Sequence, residues 1–162
     1  MRYALIATTL FLCLAFVPKK DKSRERYVYD NEQDFTAQEI QRLDTLFRGH
    51  EARTGNEIVL VTTASYLGWP TIFEFAGTVG DSLRVGKRGR NNGVIIAFSK
   101  ERREVFIATG LGTEQVMSED HCQKLVDSLM LPPLKESRYF DGIWAGSTAV
   151  VNHLDLPENA IK

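Results

Sequence analysis

Val94-Ile95-Ile96-Ala97-Phe98, then Ser99-Lys100-Glu101-Arg102-Arg103, then Glu104-Val105-Phe106-Ile107-Ala108-Thr109 is the stretch from which the fold is read. Two runs rich in β-branched and aromatic residues enclose one short charged turn. Each run reads as a strand, and the five residues between them are few enough for the strands to pair antiparallel as a hairpin. The first run is apolar without alternation, so it predicts a strand buried on both faces. Residues 58–63, the run beginning Ile58-Val59-Leu60-Val61, predict a second such strand. A sheet with two covered faces needs helices on both sides.

The helices are legible outward from that centre. Upstream, Thr36 and Glu39 form a capping box, which satisfies the free amides of a helix start. Ile40, Leu43, Leu46 and Phe47 then fall on one helical face, and Thr54-Gly55 ends it with a left-handed cap. Pro70 suits the first turn of a second helix, whose apolar stripe is Ile72, Phe75, Ala76, Val79 and Leu83. Residues 86–93 form a glycine- and charge-rich loop. Downstream, Gly110-Leu111-Gly112 ends the last strand. Ser118 can cap a third helix carrying Cys122, Leu125, Val126, Leu129 and Met130, which Pro132-Pro133 ends. Phe140, Ile143, Trp144, Val150, Val151 and Leu154 supply a final helix, and the tail after Leu156 reads as frayed. Trp69 and Trp144 are expected in the core. The predicted fold is a three-layer α/β/α sandwich, with a small mixed β-sheet flanked by helices on both faces.

The 162 residues amount to one domain, with 43% hydrophobic and 25% charged residues, ordinary for a globular protein. A net charge of −1 offers no field for nucleic acid, and that class of partner is disfavoured. Cys13 and Cys122 make neither a disulfide framework nor a zinc pattern. Residues 3–17 are apolar apart from Thr8 and Thr9, too short a run to span a bilayer comfortably as a helix. Behind Arg2 they suit the apolar region of an export signal, with Cys13-Leu14-Ala15 supplying small residues for cleavage. Lys19, Lys20, Lys22, Arg24 and Arg26 argue the other way, because positive charge prefers the cytoplasmic side. The expected organisation is an apolar leader over 1–17 (signal peptide or anchor), a charged linker over 18–27, the domain over 28–154 and a tail over 155–162. The expected location is exported or membrane-anchored; the other reading is a cytoplasmic protein whose terminus is a buried helix or strand.

Several catalytic patterns are excluded. Gly110-Leu111-Gly112 lacks the third glycine of a dinucleotide fingerprint, because Gln115 stands there. Lys87 does not close a phosphate-binding GxxxxGK loop. Asp30-Asn31-Glu32-Gln33-Asp34 begins like an EF-hand, but Phe35 stands where the sharp turn needs glycine. Six residues after Cys122 stands Ser128, not the arginine of a cysteine phosphatase loop. His50, His121 and His153 form no HExxH pair, and no serine sits in a nucleophile elbow.

From Val28 to about Leu154 the chain resembles the TPM domain family, also called the TPM phosphatase family. An ordered set carries the resemblance: Val28-x-Asp30, Phe35-Thr36 before a helix, and Thr54-Gly55-x-Glu57-Ile58 before a strand. Gly86, Asn92-Gly93-Val94, Gly110-x-Gly112-x-Glu114, the Ser118 helix start, Pro132 and Tyr139-x-x-Gly142-Ile143 complete it. Members usually carry a Trp-Gly-Ile-Gly-like run before the glycine-rich loop; here Leu83-Arg84-Val85-Gly86 stands there, without the tryptophan and the first glycine. The acidic residue usual at the start of the third helix appears as Glu119, with Asp120 beside it. The resemblance implies an α/β/α sandwich, usually outside the cytoplasm and often near a membrane. Some members are calcium binders and weak acid phosphatases, others act in photosystem repair or as accessory subunits of receptors. Such a family fixes a fold better than a function.

Five residues are candidate metal ligands: Asp30, Asn92, Glu114, Glu119 and Asp120. Each stands where a loop meets a strand or helix, and ligand sites of open α/β sheets gather in such loops. Carboxylates, an amide oxygen and backbone carbonyls converging on one rim would suit Ca²⁺, with Mg²⁺ as the other hard cation. Each also has a structural reading. Asp30 can cap a turn, Asn92 before Gly93 is a normal turn pair, and Glu119 and Asp120 complement a helix dipole. Taken singly, only Asp30 and Glu114 favour the metal. Lys87, Arg88 and Arg90 make a basic cluster that reads first as a solvated loop, and otherwise as a seat for phosphate or an anionic surface. Two functions follow: a calcium-binding interaction module of an exported or membrane-associated system, or a weak metal-dependent acid phosphatase. The first takes a membrane protein complex as partner and the second a phosphate ester, on a chain expected to be monomeric.

Overall fold

The computed structural model describes residues 24–161; the apolar leader of residues 1–17 lies outside the described residues. Strand Val28–Asp30 (β1) leads to helix Ala37–Thr54 (α1) and strand Glu57–Thr62 (β2). Helix Ile72–Leu83 (α2) follows, then strands Gly93–Ser99 (β3) and Glu104–Thr109 (β4). A short helix Leu111–Glu114 (α3) precedes Glu119–Leu125 (α4), a π-helical turn Val126–Met130, and Leu131–Lys135 (α5). Helix Tyr139–Leu154 (α6) and a 3₁₀ turn, Pro157–Asn159, complete the described chain.

Among the described residues the sheet has four strands in the order β1-β2-β3-β4. The first three run parallel and β4 returns antiparallel, with Val94 opposite Thr109 and Ser99 opposite Glu104. The hairpin thus makes the sheet mixed, as its sequence predicts. Alternation along each strand divides the core in two. Ile58, Leu60, Val94, Ile96 and Phe98 face α1, α4 and α6, while Val59, Val61, Ile95 and Ala97 pack under α2. These strands read as continuous apolar runs because both faces are covered.

The helix starts follow their chemistry. The Thr36 hydroxyl accepts from the Glu39 amide while the Glu39 carboxylate accepts from the Thr36 amide, and Gly55 closes α1 at φ +78°. Ser118 caps α4 through the His121 amide.

Several expectations are corrected. The charged linker over 18–27 does not reach Tyr27: residues 18–23 lie outside the described residues, but Arg24 and Tyr27 are packed. The Arg24 guanidinium donates to Glu57 and to the Leu83 carbonyl, and Tyr27 is fully buried with its hydroxyl on Glu51. Nor does the tail fray, because Asn159 Nδ2 donates to the His153 carbonyl at 2.8 Å. Trp69 is 45% exposed, outside the core, whereas Trp144 stacks half-buried on Phe140 under Arg42. Pro132-Pro133 does not end the helical run but stands at the start of α5, where the π-helical turn passes into it.

Candidate functional site at the carboxyl end of the sheet

The parallel strands β1, β2 and β3 end together: Asp30 lies opposite Thr62, and Thr62 opposite Phe98. Beyond such carboxyl ends lies the usual ligand crevice of an open α/β sheet. Asp30 organises the turn there. Its Oδ1 accepts from the Asp34 amide at 3.0 Å and the Thr62 hydroxyl at 2.9 Å, and its Oδ2 accepts from the Phe35 amide at 3.0 Å. Gln33 takes a left-handed φ of +56° to close the turn.

That turn folds Asp34 inward. Its side chain is 5% exposed, with Oδ1 at 3.4 Å from Lys100 Nζ. Its Oδ2 is buried and has no hydrogen-bond partner. Burial raises the Asp34 pKa, Asp30 and Glu32 push the same way, and Lys100 opposes them. Lys100, just past β3, also lies over the Tyr139 ring at 4.9 Å. Beside it opens a cavity of about 500 Å³ lined by Phe98, Lys100, Glu101, Arg103, Lys135 and Tyr139, among others. Three cations and one carboxylate around an apolar floor suit an anionic group attached to a larger molecule.

The other end of the sheet is built differently. Asn92 is fully buried, its Oδ1 accepting from the Lys87 amide and its Nδ2 donating to the Gly55 carbonyl and Asn56 Oδ1. Lys87 Nζ sits between Glu51, at 2.8 Å, and Glu57, at 2.7 Å. Lys87 therefore belongs to an internal ion cluster with Arg24, and not to a solvated basic loop. Glycines bring the chains together here: a Cβ on Gly112 would fall 1.9 Å from the Arg90 carbonyl oxygen. Glu114, Glu119 and Asp120 are exposed.

The five residues expected as ligands do not share a rim. Asp30 stands at the Thr62 end of β2 and Asn92 at the Glu57 end, five residues or roughly 17 Å apart along the strand. Glu114 and Glu119 share a groove beside β4, away from Asp30. Among the described residues no group of three or more histidine, cysteine, aspartate or glutamate side chains is placed to hold a metal ion. Arg90, adjoining Gly55 and Gly112, is likewise at the end opposite Asp30. Asp34, Lys100 and Tyr139 are site residues that no sequence motif marks. The signal for Asp34 is its place four residues after Asp30, in a run that lacks the EF-hand glycine.

A family model described as the TPM domain matches residues 28–153. The N-terminal domain of a P. gingivalis protein superposes with a TM-score of 0.73 at 23% identity, covering 80% of this chain and 82% of that one. A protein of the psychrophilic bacterium Bizionia argentinensis gives 0.64 at 21% identity, covering 79% and 94%. The N-terminal domain of a Corynebacterium glutamicum protein gives 0.62 at 15% identity, covering 93% and 86%. At these identities the likeness is one of fold. The curated proteins searched give no match.

Proposed function

We propose, since this chain belongs to the TPM domain family, that it is an interaction module binding a calcium ion at the Asp30–Asp34 turn. An anionic group of its partner would enter the adjoining basic cavity. The observation that carries this reading is the buried, unpartnered Oδ2 of Asp34. A carboxylate oxygen withdrawn from water without a donor is costly, and a hard cation satisfies it with no hydrogen bond. Asp30 uses three of its roughly four lone-pair sites on the turn. Asp34, Asp30, backbone carbonyls and water would make up the six to eight oxygens Ca²⁺ takes; Mg²⁺, which insists on octahedral geometry, is the poorer fit. Lys100, about half exposed, has room to turn from Asp34 into the cavity and meet the anion. Of the five residues expected as ligands, only Asp30 belongs to this proposed site. The setting, an exported or membrane-associated system with a membrane protein complex as partner, rests on the leader of residues 3–17.

A second reading, a weak metal-dependent acid phosphatase, draws support from Lys100, Arg103 and Lys135 around one cavity. Those cations would neutralise a phosphoryl group, the main demand of phosphoryl transfer. A nucleophile with an adjacent base does not stand among the lining residues, so the binding role ranks first.

Thermal unfolding of the full chain, in calcium and in chelator, tests the binding role. A ligand held only by the native state raises the midpoint by mass action, and Asp34→Asn should abolish that rise. The sign is fixed by Asp34: an acid whose folded pKa is raised contributes stability below its unfolded pKa and loses it as pH rises. The calcium effect should therefore be larger at neutral pH than in acid. Superimposable curves in calcium and chelator would remove the proposal. Hydrolysis of an aryl phosphate, lost in Asp34→Asn and reaching the ordinary range of about 1–10³ s⁻¹, would promote the phosphatase instead.

A further inference from the structure

β4 is the edge of the sheet: it pairs with β3 and, among the described residues, with no other strand. The Gly110 amide donates to the Gly93 carbonyl at 2.9 Å, so that couple is a hydrogen-bonded pair of the antiparallel ladder. Pairs alternate along such a ladder. Ala108, Phe106 and Glu104 therefore bond inward, and the amides and carbonyls of Val105, Ile107 and Thr109 point out. Among the described residues nothing outside the strand ladders bonds to them. Edge strands are normally blunted by proline, lysine or a bulge. β4 has neither residue and keeps an unbroken register.

A groove of about 510 Å³ runs along this edge. On one side α2 and the loop before it supply Phe73, 60% exposed, and Trp69. Phe73 meets Phe106 edge to face at 5.6 Å, so the exposed ring is held in place. On the other side stand Glu114 and Glu119, with Glu74 completing an acidic rim. The lining includes no basic residue. The side chains of Glu114 and Glu119 make no hydrogen bond or ion pair with another described residue.

We propose that this groove receives an extended, lysine- or arginine-bearing segment of a partner protein, which adds to β4 as a fifth strand. Three features converge on that occupant. The free edge supplies main-chain bonds to an extended backbone, the mode known as strand addition. Phe73 and Trp69 offer an apolar seat for alternate side chains on one face. The rim carries three carboxylates and calls for positive charge. A second copy pairing edge to edge would set one acidic rim against another, and the opposite sheet edge, β1, is only three residues long. This inference concerns a different surface from the calcium turn and does not depend on it.

The probe is a blocked heptapeptide alternating lysine with valine, titrated into the full chain at moderate salt and followed by amide hydrogen exchange. Binding should slow exchange at Val105, Ile107 and Thr109, and a central proline in the peptide should abolish it. The double variant Glu114→Lys, Glu119→Lys changes only exposed side chains. It should weaken the lysine peptide by about tenfold and favour a glutamate–valine counterpart. Four results would overturn the proposal: no binding at about 1 mM peptide, equal affinity for both peptides, protection confined to residues away from β4, or those amides already protected before peptide is added. The last would mean that this chain or a second copy already covers the edge.

Discussion

Lys87 sits between two carboxylates and is only 15% exposed. Burial lowers its pKa, but the hydrogen bonds and charges of Glu51 and Glu57 outweigh burial and raise it. Removing one member of a buried ionic group leaves the others uncompensated, which costs about 3–5 kcal/mol. Lys87→Met should therefore lower the free energy of urea unfolding by that order, whereas Arg88→Met, an exposed neighbour, should change it by less than about 0.5 kcal/mol. Equal effects of the two substitutions would refute the assignment. In the sequence the two residues are indistinguishable members of one basic cluster, because a charge does not announce its partner when the partners are 36 and 30 positions away. Asp34 escaped for the same reason: only the fold shows that Asp30 spends its carboxylate on the turn and leaves Asp34 facing inward. Asn92 illustrates the converse, a residue singled out for its place at a strand end whose amide is wholly engaged within the protein.

Elements declared themselves where local chemistry alone decides them. The Thr36–Glu39 box, the Gly55 cap and the β3–β4 hairpin need no distant contact, and each appears where the sequence places it. Elements set by tertiary contact were hidden. β1, at three residues, exists because β2 pairs with it, and the π-helical turn before α5 carries no pattern in its residues. The glycines show why a motif is not a site. Gly110-Leu111-Gly112 resembles a ligand cradle, yet its glycines are required because the 86–93 loop passes against them: a Cβ on Gly110 would lie 2.4 Å from the Asn91 carbonyl oxygen. Gly142 and Gly146 do the same for α6 against the π-helical turn. The atom met decides the cost. Gly112→Ala collides with backbone and should cost about 3 kcal/mol or more, while Gly146→Ala meets the flexible Met130 side chain and should cost about 1 kcal/mol. Denaturant unfolding of both variants measures this, and a reversed order would show that the close approach at Gly112 is not what holds the loop.

At the scale of the molecule, ionisable groups tie distant ends of the chain together and make its stability fall in acid. His50, fully buried on α1, shares a 2.7 Å contact with Asp155 beyond α6. Burial lowers its pKa in spite of Asp155, so His50 stays neutral when folded and takes up a proton on unfolding. That term is fully present above the unfolded histidine value of about 6.5 and is lost as pH falls below it. Asp155 and Glu57 act at lower pH. Burial raises both, but Arg53 and His50 hold Asp155 below the ordinary value, as Lys87, the Gly86 amide and Arg24 do for Glu57. Depressed acids contribute stability above their unfolded pKa and lose it as pH falls through the folded one. His121 adds a term of the same sign as His50, its pKa lowered by burial and then by the charges of His153 and Lys124. Asp34 runs the other way, its raised pKa favouring the fold in acid, but it is one group against four. Urea unfolding should therefore show stability declining in two stages, the first beginning near pH 6.5 and the second below about pH 4. His50→Gln should shrink the first stage to the part that His121 contributes and leave the second. A profile flat from pH 7 to pH 5 in the natural chain would mean that His50 takes up no extra proton on unfolding, and would detach the buried α1–α6 contact from the acid sensitivity of the fold.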